Sequence, residues 1–405
     1  MRIGILDCSS PHWTAGEVYT RTLLAAISVA QKPVGTKIVF FRSNTAVVAP
    51  TGIDVCDIDL SPNVSAWLDL QKSLGIDVLL PLQNCILPAW KAAVGWIPDF
   101  QHIHLPHLFA PHEAESRNTI YAQLAVICEK VIVSSRAVAR DFSALYPQCK
   151  EKTAVLPFPS LFAAQAELPE VGDTLQKYRL PPKFALIPNQ FWAHKNHAIL
   201  PPALAALRHG GINLPVVLTG APVDYRDPSN SILSEFFQAV AKHGVREDVH
   251  MLGAVSRNEL LDLLRLTSLV IQPSLSEGWN TTLEDAKALG VPIACSDLEV
   301  HKEQCGTAAF YFDPKDPRSL AEALGRAWVG RVDFQPMHPA REPNSLQRAK
   351  LHLKKWGEGV LEAATSAHEA SLGTRFARTT MGHRITNMCC KAFGKLRREA
   401  SALRN

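Results

Sequence analysis

Several things are missing from this 405-residue chain, and each absence removes a class of function. No apolar run reaches the length needed to cross a bilayer, so a membrane-spanning protein is not expected. The start, Met1-Arg-Ile-Gly-Ile-Leu-Asp7, enters a β-type run directly and lacks the apolar core of a signal peptide. Nine cysteines are present, but none form Cys-x-x-Cys pairs or His/Cys clusters. That argues against a zinc site and a disulfide framework, and fits a reducing compartment. No basic groove interleaved with aromatics is visible, so nucleic acid is not an expected partner. The expectation is a cytoplasmic protein, either soluble or peripheral on the inner membrane.

Charge is present but uneven. The net charge is +4, yet residues 366–405 hold eight Lys/Arg against Glu369 and Glu399, a local +6 that leaves the remainder near −2. Such a basic tail is attracted to anionic lipid. It reads equally as a solvated chain end.

The length suggests two or three domains. Short apolar runs alternate with helical patterns, the signature of α/β folds with parallel sheets. In the first half the strands are Arg2–Asp7, Lys37–Phe41, Ile76–Leu80, Lys130–Ser134 and Thr153–Leu156. Helices are expected over 17–30, 66–74, 113–129 and 136–145. Pro157-Phe-Pro and the poorly periodic stretch after it mark a domain boundary. A second α/β series opens at Phe184–Ile187 and continues through strands at 214–220, 249–253, 269–272, 292–295 and 309–313, with a last helix over about 345–364. The expected domains are 1–165, 175–345, a helix at 345–365 and the tail 366–405.

Four stretches carry chemistry. The first is Gly16, a glycine at the entry of the helix after the first strand, where α/β folds bind anions. The second is Trp96-Ile-Pro-Asp-Phe-Gln-His102-Ile-His104-Leu-Pro-His107, a strand running into a loop with Asp99 and three histidines. Histidine suits a sugar hydroxyl or a proton shuttle. No Cys or carboxylate cluster accompanies these three, so no metal is expected. The third is Pro188-Asn-Gln-Phe-Trp-Ala-His-Lys195, a lysine placed just before a helix start, where a point charge can meet phosphate. Asp57-Ile-Asp59 also occurs, without supporting context, and reads as coincidence.

The fourth and densest stretch follows strand 269–272. Glu277 lies in a loop, Gly278 permits close approach to the backbone, and Thr281-Thr282 open a helix that carries Glu284 and Asp285. A helix start offers free N–H groups to phosphate, and carboxylates accept strong hydrogen bonds from sugar hydroxyls. Thr281-x-x-Glu284 has capping-box spacing, which gives Glu284 a local role and leaves Asp285 as the better ligand candidate.

Pro273-Ser-Leu-Ser-Glu277-Gly-Trp, with a second acid eight residues on, resembles the two-acid motif of the retaining glycosyltransferases of family 4. The resemblance extends over roughly residues 1–365. It implies the GT-B fold: two Rossmann-like domains facing across a cleft, with a C-terminal helix crossing back. It also implies roles. Glu277 contacts the transferred sugar, and Asp285, one methylene shorter than the family's Glu, holds the ribose. Gly278, Asn280, Thr281 and Thr282 line the donor side. Lys195 matches the lysine of an Arg/Lys pair on the donor phosphates; the Arg position falls on Asn189 or Gln190, two neutral amides. Gly16 matches one glycine of a Gly-Gly pair near the diphosphate. Gly253 and Val255 lie in the segment that meets the base. His102, with Asp99 second, matches a histidine facing the sugar from the first domain.

The implied activity is transfer of a hexosyl group of mannosyl, rhamnosyl or glucosyl type. It passes from a nucleotide sugar to a hydroxyl of a glycan or lipid-linked acceptor in bacterial polysaccharide synthesis, with neither metal nor cofactor. The alternatives are a sugar-nucleotide epimerase of the same fold and a non-catalytic nucleotide-binding homologue.

Overall fold

The computed structural model describes residues 1–9, 14–58, 64–83, 89–164, 169–227, 229–329 and 345–373. Asp59 and residues 374–405, with the basic side chains of the tail, lie outside them.

The chain divides into two compact domains. Among the described residues, one comprises those of Met1–Phe100, Pro111–Phe158 and 352–373; the other comprises those of Gln101–Ala110 and Pro159–Leu351. The first is built on β1 (Arg2–Leu6), β2 (Lys37–Arg42), β3 (Asp54–Asp57), β4 (Val78–Leu82), β5 (Ala92–Ile97), β6 (Lys130–Val133) and β7 (Thr153–Val155). They form one sheet in the order β3-β2-β1-β4-β5-β6-β7, and every pairing is parallel. The second is built on β8 (Ala185–Pro188), β9 (Val216–Thr219), β10 (Val249–Gly253), β11 (Leu269–Gln272), β12 (Ile293–Ser296) and β13 (Ala309–Phe312). These are also all parallel, in the order β10-β9-β8-β11-β12-β13.

The apolar runs explain this. A parallel sheet is covered by helices on both faces, so both sets of alternating side chains must be apolar. In the second domain Ala185, Ile187, Val216, Leu218, Leu269, Ile271 and Ala294 share one core with the helices Leu200–His209, Ser231–Lys242 and Pro317–Val329. Leu186, Val217, Val270, Ile293 and Cys295, the residues between, share another with the helices Arg257–Leu266 and Thr281–Ala288. The first domain repeats the scheme. Leu6, Val39, Phe41, Leu79, Val131 and Val133 face the helices Val64–Ser73, Pro111–Ile127 and Arg136–Leu145. Ser135 starts the last of these, its Oγ accepting from Val138 N at 3.1 Å, an N-cap worth about 1 kcal/mol.

Helix Ser345–Gly373 is longer than expected, running nine residues past 364. From His352 it belongs to the first domain. There Trp356 Nε1 donates to the Leu156 carbonyl at 3.0 Å and His352 Nε2 to that of Pro157 at 2.8 Å. Trp356 sits edge-on to Tyr19, which stacks on Trp96. Gly357 lies so close to helix Thr14–Val29 that a Cβ would stand 2.4 Å from the Ala26 carbonyl oxygen.

Three details differ from the sequence reading. Gly16 sits inside the first turn of helix Thr14–Val29 instead of ahead of it. The histidine loop is a helical turn, Gln101–His104, followed by a second, Pro106–Leu108. Segment 101–110 groups with the second domain, although the sequence places it in the first. None of the helices among the described residues is long and apolar enough to cross a membrane.

Candidate active site

In both sheets the strand order reverses once, between β1 and β4 and between β8 and β11. Loops at the carboxyl ends of the strands flanking such a reversal diverge and leave a crevice, the usual ligand site of these folds. In the second domain the loop after β8 carries Asn189 to Asn196 and the loop after β11 carries Pro273 to Asn280. Their backbones are joined by Leu275 N donating to the His194 carbonyl at 2.8 Å. Asn196, in the left-handed conformation with φ 58°, ties down Lys195 from the other side. Its amide donates to the carbonyls of Pro273 and Pro314 at 3.0 and 2.8 Å.

Lys195 and Glu277 meet here. Lys195 Nζ lies 2.6 Å from Glu277 Oε1, with side-chain exposures of 17% and 9%. The same oxygen accepts from Ser274 Oγ at 2.7 Å, Asn280 Nδ2 at 3.0 Å and Gln272 Nε2 at 3.3 Å. Oε2 has no protein partner among the described residues. Burial alone would raise this carboxyl's pKa; the Lys195 charge and hydrogen bond outweigh it and hold it down at about 2. Glu277 is therefore a fixed anion with one oxygen saturated and the other available.

Asn280 has a second task. It is the N-cap of helix Thr281–Ala288, accepting from Leu283 N at 3.0 Å. The capping box expected at Thr281 and Glu284 does not form. Glu284 instead accepts from Lys287 Nζ at 2.8 Å and Gln304 Nε2 at 2.9 Å. Gln304 also grips the cap backbone, donating to the Asn280 carbonyl at 2.7 Å and accepting from Asn280 N at 3.3 Å. With its own backbone ahead of Thr281 clamped by Gln304, the helix needs no help from Glu284. Thr281 and Thr282 open the helix, and Gly278 is buried in the loop before it.

Asp285 is buried and accepts a short hydrogen bond from Ser160 Oγ. Its burial, with Glu284 adjacent, raises its pKa to about 6, against the opposing pull of Arg257 and Ser160. Asn189 turns inward: it is 5% exposed, and its Nδ2 donates to Gln272 Oε1 at 3.0 Å. Gln190, half-buried, has no side-chain partner among the described residues, so of the two neutral amides it is the one left for a ligand. Gly220 lets this strand end approach its neighbour. Its φ is +113°, and a Cβ would stand 2.4 Å from the Asn189 carbonyl oxygen. Gly220 N also donates to the Gly253 carbonyl at 2.8 Å. Gly253 itself, with φ +72°, has open space where a Cβ would be. Val255 is half-buried against the core.

The other candidates belong to other segments of the chain. Gly16 is in the first domain, its carbonyl accepting from Thr20 Oγ1 at 3.0 Å. Asp99 also lies there, 3.9 Å from Arg117 Nη1. His102 is 2% exposed, whereas His104 and His107 are exposed. Arg226 contacts the segment that carries His102. Arg226 follows β9, and its Nη1 donates to Gln101 Oε1 at 3.3 Å while its guanidinium lies 5.1 Å from the Phe109 ring. Those contacts attach segment 101–110 to the second domain.

Sequence reasoning missed Arg226, Asp224, His194, Gln272, Ser274, Ser160 and Gln304. Of these, His194 and Ser274 lay within stretches already singled out, and Gln272 ended the strand before one of them. Among the described residues no group of three or more His, Cys, Asp or Glu has the geometry to hold a metal ion.

Comparison with solved structures identifies the architecture. The chain superimposes on Anabaena HepE solved with UDP and glucose, with TM-score 0.66 and 16% identity over 90% of this chain and all of that one. A glycosyltransferase from Rickettsia africae gives TM-score 0.62 and 14% identity over 92% and 99%. The fold is GT-B, with two Rossmann-like domains. The family Glycosyl transferases group 1 matches residues 175–328, which lie within the second domain. The O-antigen chain mannosyltransferase RfbU of Salmonella typhimurium is 30% identical over 112 residues, 25% of this chain and 32% of that protein. EpsF of Bacillus subtilis is 30% identical over 140 residues, 34% of each. The chain thus spans about a third of the length of the curated relatives it matches.

Proposed function

We propose that this protein is a retaining glycosyltransferase that moves a hexosyl group from a nucleotide sugar to a hydroxyl of a glycan or lipid-linked acceptor in polysaccharide synthesis. The observation that carries the reading is the Lys195–Glu277 pair at the strand-order reversal of the domain that the group 1 family matches. A nucleotide sugar presents an anionic diphosphate and a ring of hydroxyls, and these two residues offer one cation and one fixed anion. On donor binding Lys195 exchanges Glu277 for the diphosphate. Glu277 keeps Ser274, Asn280 and Gln272 as partners, remains ionised and turns its free Oε2 to a sugar hydroxyl. Lys195 and the first N–H groups of helix Thr281–Ala288 then oppose charge growing on the leaving diphosphate, electrostatic catalysis from preorganised groups. Asp285 accepts from the ribose by exchanging its Ser160 contact.

The nucleotide is identified by a thermal-shift screen against UDP, GDP, dTDP and ADP, followed by turnover of the corresponding sugars. Lys195→Ala is expected to lower turnover at least ~10²-fold; an unchanged rate removes Lys195 from the mechanism. Sugar interconversion without acceptor would make the protein an epimerase. Nucleotide binding with neither transfer nor donor hydrolysis would make it a non-catalytic homologue.

A further inference from the structure

One imidazole beside the Lys195–Glu277 pair has a chemistry that its neighbours dictate. His194 immediately precedes Lys195 and is 4% exposed. Its Nδ1 lies 3.3 Å from Arg226 Nη2. A guanidinium can only donate, so Nδ1 accepts. A neutral ring that accepts at Nδ1 carries its proton at Nε2. That Nε2–H has no protein acceptor among the described residues, nor is it one of their sealed, unpartnered polar atoms.

Arg226 is itself held firmly. Its Nε and Nη2 each lie 3.0 Å from one carboxylate oxygen of Asp224, Oδ1 and Oδ2 respectively. The pair is nearly inaccessible, at 9% and 1% exposure. Asp224 Oδ2 also accepts from Ala193 N at 3.0 Å, bracing the turn that presents His194 and Lys195. The rings of Phe109, Trp192 and Tyr225 surround the guanidinium at 5.1, 5.6 and 5.4 Å.

We propose that His194 is a hydrogen-bond donor to the diphosphate of the nucleotide sugar, and that Arg226, anchored by Asp224, is the positioning residue that fixes its tautomer. The proposal rests on the transferase reading above and adds a ligand contact to it. It supplies a second donor beside Lys195 where Asn189 is turned inward. Four charged groups act on the ring: Lys195 and Arg226 oppose its protonation, while Glu277 and Asp224 favour it. Burial and the two cations prevail, and the ring stays neutral, its pKa lowered to about 3. A proton on Nδ1 would also meet the Arg226 donors head-on.

The test measures UDP and GDP affinity by calorimetry across pH 5–8, with thermal melts to confirm folding. His194→Phe keeps the ring shape and removes the donor; affinity for the nucleotide that binds should fall ~10-fold or more, the loss of one hydrogen bond to a charged group. His194→Gln restores an N–H donor and should recover most of that loss. Arg226→Met frees the imidazole to change tautomer and to take a proton. The wild-type profile already carries the titrations of the ligand's terminal phosphate and of Asp285; Arg226→Met should add to it a further inflection nearer the ordinary histidine range, roughly pH 6.5, that the Arg226→Met/His194→Gln double variant lacks. A purely structural arginine would not produce it. Wild-type affinity in His194→Phe, no recovery in His194→Gln, or no inflection in Arg226→Met beyond those of the wild type overturns the assignment. If Lys195→Ala abolishes binding while His194→Phe does not, the transferase reading stands and His194 alone falls. If the wild type binds no nucleoside diphosphate, both fall.

Discussion

The two domains share one strand order around their reversal points, yet an acid at each does opposite work. In the first domain Asp7 follows β1, and both its oxygens are engaged. Oδ1 accepts from Ser9 N at 2.9 Å; Oδ2 accepts from Ser43 N and Oγ at 3.2 Å and Asn44 N at 2.9 Å. It joins the loop after β1 to the loop after β2. In the second domain Glu277 gathers four donors on Oε1 and leaves Oε2 without a partner. Topology supplies a crevice in each case. Whether it becomes a site depends on whether the acid's hydrogen-bonding capacity is filled from within.

The largest expected effect separates the two acids directly. Glu277→Gln should cut turnover at least ~10²-fold without weakening nucleoside diphosphate affinity, because Lys195 is left free for phosphate. Asp7→Ala should do the reverse, costing about 1–3 kcal/mol of stability by denaturant titration at unchanged nucleotide affinity. A collapse of affinity in Asp7→Ala would break the contrast.

A second contrast lies within the second domain, between Glu277 and Asp285. A depressed pKa gives Glu277 a stabilising contribution that is present above its unfolded value and lost as pH falls toward 2. A raised pKa gives Asp285 a contribution complete below its unfolded value and lost as pH rises through about 6. Between pH 4.5 and 7, therefore, Asp285 weakens the fold while Glu277 is constant. Asp285→Asn should gain on the wild type by on the order of 2–3 kcal/mol between those pH values, measured by denaturant titration at each. A parallel pH dependence in the two proteins would mean that the carboxyl is not held protonated.

The smallest effect concerns the neutral amides. Gln190→Ala should weaken nucleoside diphosphate binding only ~3–10-fold, the worth of one ordinary hydrogen bond. Asn189→Ala should leave affinity nearly intact and lower the melting temperature, because it strands Gln272 in the core. Equal effects on affinity would show that both amides reach the ligand.

Much of this architecture is legible in the sequence because parallel sheets write themselves as local apolar runs. Leu269–Gln272 and Val249–Gly253 match their strands residue for residue, and Arg136–Leu145 matches its helix. Lys195 and Glu277 are legible because each lies just past a strand end, with glycine or a helix start beside it. Their supports are not. Ser160 meets Asp285 across 125 positions, Asn189 meets Gln272 across 83 and Gln304 meets Asn280 across 24. Neither helical nor strand periodicity records such pairs. Arg226 sits in a loop without regular pattern, and only its contacts reveal which domain holds segment 101–110. The capping box failed for a related reason: Thr281-x-x-Glu284 has the right spacing, but Gln304, distant in sequence, had already taken the partner.

Helix Ser345–Gly373 changes how this chain can be cut. The first domain is discontinuous: Trp356 and Gly357 belong to the packing around Tyr19 and Ala26, more than three hundred residues upstream. A fragment ending at Phe158 lacks a piece of its own interior, so trimming the carboxyl end is a lesion of the amino-terminal half. An independently folding version of that half requires residues 352–373, spliced on or supplied as a peptide. During synthesis, its packing is completed only after the intervening domain has left the ribosome.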